Sequence, residues 1–181
     1  MADFLPVGLT HSEVQALLAE IGTAKKYDVW LPRNDRGRVE TLCAPREDMH
    51  ISDQYLQSAI EQLDVVWLGR GSNEPEALFE VEHSTSIYSG LLRFNDIYLS
   101  LGPGKPVRYT IVSDEKRRSA YARQLNRPTF RASSLSETCT FLDYANVFHW
   151  HRRLCSPSAD RDGGDLAQEG GSTSSANGGT G

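Results

Sequence analysis

Leu63-Asp64-Val65-Val66-Trp67-Leu68 and Ala77-Leu78-Phe79-Glu80-Val81-Glu82-His83-Ser84 are two short apolar runs of strand character, each carrying acid at its centre. Acid inside a buried strand is costly unless something binds it. Successive side chains of a strand alternate faces, so Glu80 and Glu82 share one face while Phe79 and Val81 take the other. Pairing of the two strands would let Asp64, Glu80 and Glu82 converge. Three oxygen-bearing side chains at one point suit a hard divalent cation such as Mg²⁺.

A chain of 181 residues is one ordinary domain with room for a sizeable core. Its net charge of −5 argues against a simple polycation that coats nucleic acid. The charge is uneven, however. Residues 40–82 hold ten acids against Arg46 and Arg70, whereas residues 105–131 hold eight Lys and Arg against Asp114 and Glu115. An acidic metal site beside a basic phosphate-binding surface would give this asymmetry, and so would two solvated faces. Cys43, Cys139 and Cys155 are odd in number and widely spaced, as free thiols in a reducing compartment would be. No apolar run reaches the length of a membrane span, and Met1-Ala2-Asp3-Phe4-Leu5-Pro6 lacks the basic start of a signal peptide. A cytoplasmic protein without a membrane partner is expected. Residues 4–155 are expected to form the domain, and the Gly/Ser/Asp-rich residues 156–181 a disordered tail.

Thr10-His11-Ser12-Glu13 has capping-box spacing, and Val14, Leu17, Leu18 and Ile21 follow at helical intervals, predicting a helix over 11–25. Strands are expected at 27–31, 62–68, 77–82, 108–112 and 138–142, with a short one near 39–42. Ser84-Thr85-Ser86 opens a helix that Gly102-Pro103-Gly104 ends, and Ser113 starts a basic helix over 114–125. The result is an α/β sandwich, a mixed central sheet flanked by helices.

This order, with an Asp-bearing strand followed by an acid-x-acid strand and a helix, resembles the core of the PD-(D/E)XK, or restriction-endonuclease-like, nucleases. The likeness covers roughly residues 11–142, with fifteen residues between Asp64 and Glu80. The block from Phe79 to Arg93 also resembles one in bacterial proteins predicted to be such nucleases. The resemblance implies a Mg²⁺-dependent DNA endonuclease, with Mn²⁺ as a substitute, serving restriction, repair or phage defence. It would act as a homodimer or with a partner subunit that supplies specificity. Asp64 and Glu80 match the family's metal-binding pair, and the Val81 carbonyl between the two glutamates is a natural third ligand. Glu82 stands where the family usually has Lys, which changes the chemistry: a glutamate can take a proton from water or bind a second cation. Glu13 matches an acid that several members place on the first helix.

Other readings stay open at this point. Asp64 could be a satisfied strand-end acid, Glu80 and Glu82 an exposed strand face, and Glu13 merely the partner of Thr10. His83 is expected on the side away from the acids. Ser84, Thr85 and Ser86 offer hydroxyls and helix N-terminal N–H groups to a phosphate, or only start a helix. Arg93 could reach a nucleic-acid backbone or pair with Asp96, and Lys116, Arg117 and Arg118 are a phosphate track or a solvated face. With Glu in the Lys position, a catalytically inactive domain of the same fold that binds nucleic acid or protein is an alternative. A paired-carboxylate glycoside hydrolase is another, although a sugar cleft needs exposed aromatics.

Overall fold

The computed structural model describes residues 8–155; the tail expected over 156–181 lies outside the described residues. Helix α1 (His11–Ala24) starts at the Thr10 capping box and leads into β1 (Asp28–Trp30). A long irregular stretch carries the chain to α2 (Gln54–Glu61), capped by Asp53. Then come β2 (Val65–Leu68), β3 (Pro75–Glu82), α3 (Ile87–Leu101) and β4 (Arg108–Ser113). A 3₁₀ turn, the short helices α4 (Arg118–Leu125), α5 (Pro128–Ala132) and α6 (Leu135–Thr138), strand β5 (Cys139–Asp143) and α7 (Tyr144–Cys155) complete the described chain.

The five strands form one sheet in the order β1-β2-β3-β4-β5. The first three make an antiparallel meander, and β3, β4 and β5 run parallel. Strand β3 is therefore interior and bonded on both sides, antiparallel to β2 and parallel to β4. Alternation sorts its residues: Ala77, Phe79 and Val81 join the α1/α7 layer with Val14, Leu18, Ile21, Val65, Trp67 and Val147. Leu78 faces the opposite layer with Val66, Leu68, Leu91, Phe94, Ile97 and Ile111. This is the expected α/β architecture, a mixed sheet with helices on both faces, consistent with a restriction-endonuclease-like fold.

Three elements differ from the sequence expectation. No strand forms at 39–42; the segment is irregular, and Glu20 receives the N–H of Leu42 and the hydroxyl of Thr41. The basic helix over 114–125 is split into the 3₁₀ turn and α4. Helix α7 was not anticipated; it packs on α1, where His151 and Glu20 meet at 2.6 Å and Trp150 tilts against Trp67. The three cysteines are free, and burial pushes the Cys139 thiol up to about 12. No helix of the described residues is long and apolar enough to cross a membrane.

Helix α1 packs closely on the sheet at Gly22, where Trp67 is fully buried and its Nε1 donates to the Leu18 carbonyl at 3.0 Å. A Cβ at residue 22 would stand 2.5 Å from that nitrogen. Gly22→Ala should therefore destabilise the fold by about 1–3 kcal/mol through overpacking, although alanine is otherwise the better helix former. The check is a lower urea midpoint with an unchanged denaturant slope.

Candidate active site

Asp64 lies one residue before β2, and the β2–β3 register pairs Val65 with Phe79, so Asp64 comes opposite Glu80. Glu80 and Glu82 leave β3 on the face that meets α3. Asp64, Glu80, Val81 and Glu82 line one open cleft of about 680 Å³, together with His11, Ser84, Thr85, Ser86, Gly90 and Arg93. The cleft continues past Gln62 and Arg93 into a second depression beside Trp30 and Arg33. Helix α3 can come this close because residue 90 is glycine: a Cβ there would lie 2.8 Å from Glu82 Oε1 and 3.2 Å from Ile111.

Each acid has a partner. Asp64 accepts the Val81 N–H at 2.6 Å through Oδ2 and faces His11 Nε2 at 3.2 Å through Oδ1. It thus completes the strand ladder and lines the cleft at once. Glu80, only 3% exposed, is bound by the Arg93 guanidinium. Glu82, 6% exposed, accepts the Thr85 hydroxyl. Burial is the first cause holding Glu80 well above the ordinary carboxylate range; Asp64 adds to it by charge and by a shared hydrogen bond, and Arg93 opposes it. Burial also raises Glu82, against the Thr85 hydroxyl, with Asp64 raising it further and Arg117 and Arg93 pulling it back. The hydrogen bond to Asp64 raises His11 above the usual imidazole value, against partial burial.

Among the described residues, no three His, Cys, Asp or Glu side chains are grouped so as to hold a metal ion. The donor chemistry nonetheless suits a hard cation: the carboxylates of Asp64, Glu80 and Glu82 line the same cleft. Glu80 holds a proton more tightly than an ordinary carboxylate, as a buried acid short of positive charge does.

Some expected site residues sit elsewhere. Glu13 does not line the cleft; it is exposed, and its carboxylate accepts the Thr10 N–H at 2.7 Å and hydroxyl at 2.8 Å. The first helix instead contributes His11, two residues earlier, and Gln15, whose Nε2 donates to the Asp64 carbonyl at 3.1 Å. Arg117 is turned back onto its own chain: it donates to the carbonyls of Glu82 at 2.8 Å, His83 at 3.2 Å and Thr85. Arg118 is exposed but held by Glu115 at 2.6 Å and Asp143 at 3.6 Å, and Lys116 is exposed beside it. Arg93 pairs with Glu80, not with Asp96. His83 is exposed at the cleft rim, and its ring stacks on Tyr144 of α7, the layer away from the acids, in keeping with the expectation of a rim histidine. Sequence reasoning missed His11, Gln15 and Gly90. His11 and Gln15 lie within the helical pattern already assigned to α1, and nothing local distinguishes them.

The description "Type II restriction enzyme NmeDI C-terminal domain" matches residues 3–159 of the chain. The chain is also 29% identical over 133 residues to the type II restriction enzyme NmeDI of Neisseria meningitidis serogroup C, covering 67% of this chain. It spans 37% of the length of that relative. No solved structure is significantly similar.

The raised acids set a direction for stability against pH. A carboxyl raised by folding contributes its stability fully below the ordinary value of 4.5 and loses it as pH rises through the folded value. His11 acts in the same sense above 6.5. Stability should therefore fall as pH rises through the neutral range, and Glu80→Gln should flatten that fall, because it removes the most buried of the three ionisations. Urea midpoints of wild type and variant from about pH 5 to about pH 8 check it; parallel curves would show that Glu80 does not titrate there.

Proposed function

The chain belongs to the family of type II restriction enzyme NmeDI C-terminal domains, and from that premise we propose that it is a Mg²⁺-dependent DNA endonuclease of PD-(D/E)XK type with Glu82 in the Lys position. The observation that supports it most is the convergence of Asp64, Glu80 and Glu82 on one cleft whose rim carries the start of α3. Asp64 and Glu80 would hold the cation, with the Val81 carbonyl as a further oxygen. Mn²⁺ would substitute for Mg²⁺. The cation would offset phosphate charge and acidify a bound water. Glu82 would accept that water's proton, a role for which its raised proton affinity suits it.

Ser84, Thr85 and Ser86 are exposed at the helix start, and the Ser86 side chain makes no cap hydrogen bond. Their hydroxyls and the first free N–H groups of α3 would receive the nonbridging oxygens of the scissile phosphate. The Arg117 clamp on the carbonyls of 82, 83 and 85 holds this segment against the strand end. Lys116 would add a backbone contact. Recognition of a DNA sequence is assigned to a second copy or a partner subunit. A cytoplasmic location follows from the substrate, and restriction, repair and phage defence all accord with it.

One observation favours a second reading. Every acid of the cleft is satisfied by a protein partner, as in a domain that keeps the nuclease fold and binds without cutting. Nothing favours a glycoside hydrolase: Trp30 and Trp67 are buried, and no Phe, Tyr or Trp lines the cleft.

Cleavage of supercoiled, linear and single-stranded DNA in Mg²⁺, Mn²⁺ and EDTA separates the readings. The expected result is metal-dependent cleavage that falls about 100-fold or more in Asp64→Asn and Glu80→Gln. Glu82→Gln should lose cleavage while DNA binding persists or tightens. Glu82→Lys should alter metal preference and bring no gain, since lysine there would sit beside Glu80 in a site shaped around a third acid. Wild type inactive with every metal would support the binding module instead.

A further inference from the structure

We infer that Arg93 is a displaceable counter-charge: it pairs with Glu80 and moves onto the substrate phosphate when a divalent cation takes its place on that carboxylate. This inference rests on the endonuclease reading for its second half only.

The two partners differ in freedom. The Glu80 side chain is 4% exposed and fixed on an interior strand, whereas Arg93 is 35% exposed on the cleft wall. An exchange of partners must therefore move the arginine. It has somewhere to go, because Arg93 borders both the acid-lined part of the cleft and the adjoining depression beside Arg33.

Charge at Glu80 itself favours the exchange. A guanidinium and a divalent cation on one buried carboxylate would repel each other at short range, where little water screens them. Arginine remains charged after release, and its planar fork suits two phosphate oxygens. The strand position that would carry a lysine holds Glu82, so the motif itself supplies three acids and no base. Arg93 reaches the acids from α3, one turn after Gly90, whose missing side chain lets that helix approach.

The test is Mn²⁺ binding, read from the electron paramagnetic resonance of the free ion, for full-length wild type, Arg93→Gln, Arg93→Lys and Glu80→Gln, with DNA cleavage measured in parallel. Arg93→Gln should bind Mn²⁺ about tenfold more tightly than wild type, because the competing cation is gone. Cleavage should nevertheless fall about 100-fold or more, because the phosphate loses its arginine. Arg93→Lys should fall between wild type and Arg93→Gln in metal affinity, and Glu80→Gln should bind Mn²⁺ far more weakly than wild type. Equal or weaker Mn²⁺ binding by Arg93→Gln overturns the proposal, as does full binding by Glu80→Gln or none by any form. If circular dichroism shows Arg93→Gln unfolded, Arg93→Lys decides: the same affinity as wild type overturns the proposal. The two readings fail separately. Wild-type cleavage with unchanged Mn²⁺ affinity in Arg93→Gln removes the displacement and leaves the endonuclease. Tighter Mn²⁺ binding by Arg93→Gln with no cleavage by wild type removes the endonuclease and leaves the displacement.

Discussion

Glu80 is a carboxylate in the middle of a strand bonded on both edges and covered by a helix, and it is 3% exposed. Such a group is costly to bury unless its surroundings supply charge and hydrogen bonds. The neighbourhood does so from three elements. Strand β2 brings Asp64 opposite it, α3 brings Arg93 onto it, and Gly90 lets α3 lie close enough for that reach. Because Asp64 is itself an acid, it raises the proton affinity of Glu80, and Arg93 offsets this only in part. The pair is left short of positive charge at the point where a cation would be useful.

Register carries this arrangement. With Val65 opposite Phe79, the even-numbered residues 64, 66 and 68 share the face of 78, 80 and 82. A slip of one residue would send Asp64 to the α1/α7 layer and leave Glu80 without its neighbour. Trp67, buried on that other layer and bonded to the Leu18 carbonyl, resists such a slip. On the other edge, parallel pairing sets Glu82 beside Ser113, whose hydroxyl donates to the Glu82 carbonyl. The fold core and the cleft thus depend on the same strand pairings.

The strand phase of Asp64, Glu80 and Glu82 was legible because period-two alternation is a local property and acids stand out in buried strands. The capping box at Thr10 was legible for the same reason, and so was the end of α3 at Gly102. Partner choice was not. Glu13 satisfies its own helix start, which a local rule anticipates, yet the likeness to nucleases suggested a place in the site; local capping prevailed. Arg93 had a local partner three residues on in Asp96, but the buried charge of Glu80 is the stronger attraction. Helix α7 escaped notice although it is not poor in apolar residues: Tyr144, Val147, Trp150 and Leu154 recur at helical intervals, but only Val147 is buried, Tyr144 and Trp150 are partly so, and His149, His151, Arg152 and Arg153 break up the run. Its face is set by docking on α1, a tertiary contribution that a local reading does not weigh.

Glutamate at residue 82 has a consequence for charge that extends beyond the cleft acids. A lysine there would bring positive charge on the strand itself. With Glu82 in its place, positive charge has to come from other elements, and it comes from two directions. Arg93 approaches across α3, and Arg117 approaches from the turn after β4, where it binds the Glu82 carbonyl; both lower the proton affinity of Glu82. On the α1 side, His11 supplies charge to Asp64 only while protonated. The permanent charges therefore lie on the α3 side, where the serines and threonine at its start would receive a phosphate, and the titratable one lies on the α1 side. A phosphate seated at that rim would meet arginines whose charge does not change with pH, while the acids behind it remain available to a cation. The positive charge that a lysine would place on the strand is here spread over a helix and a turn.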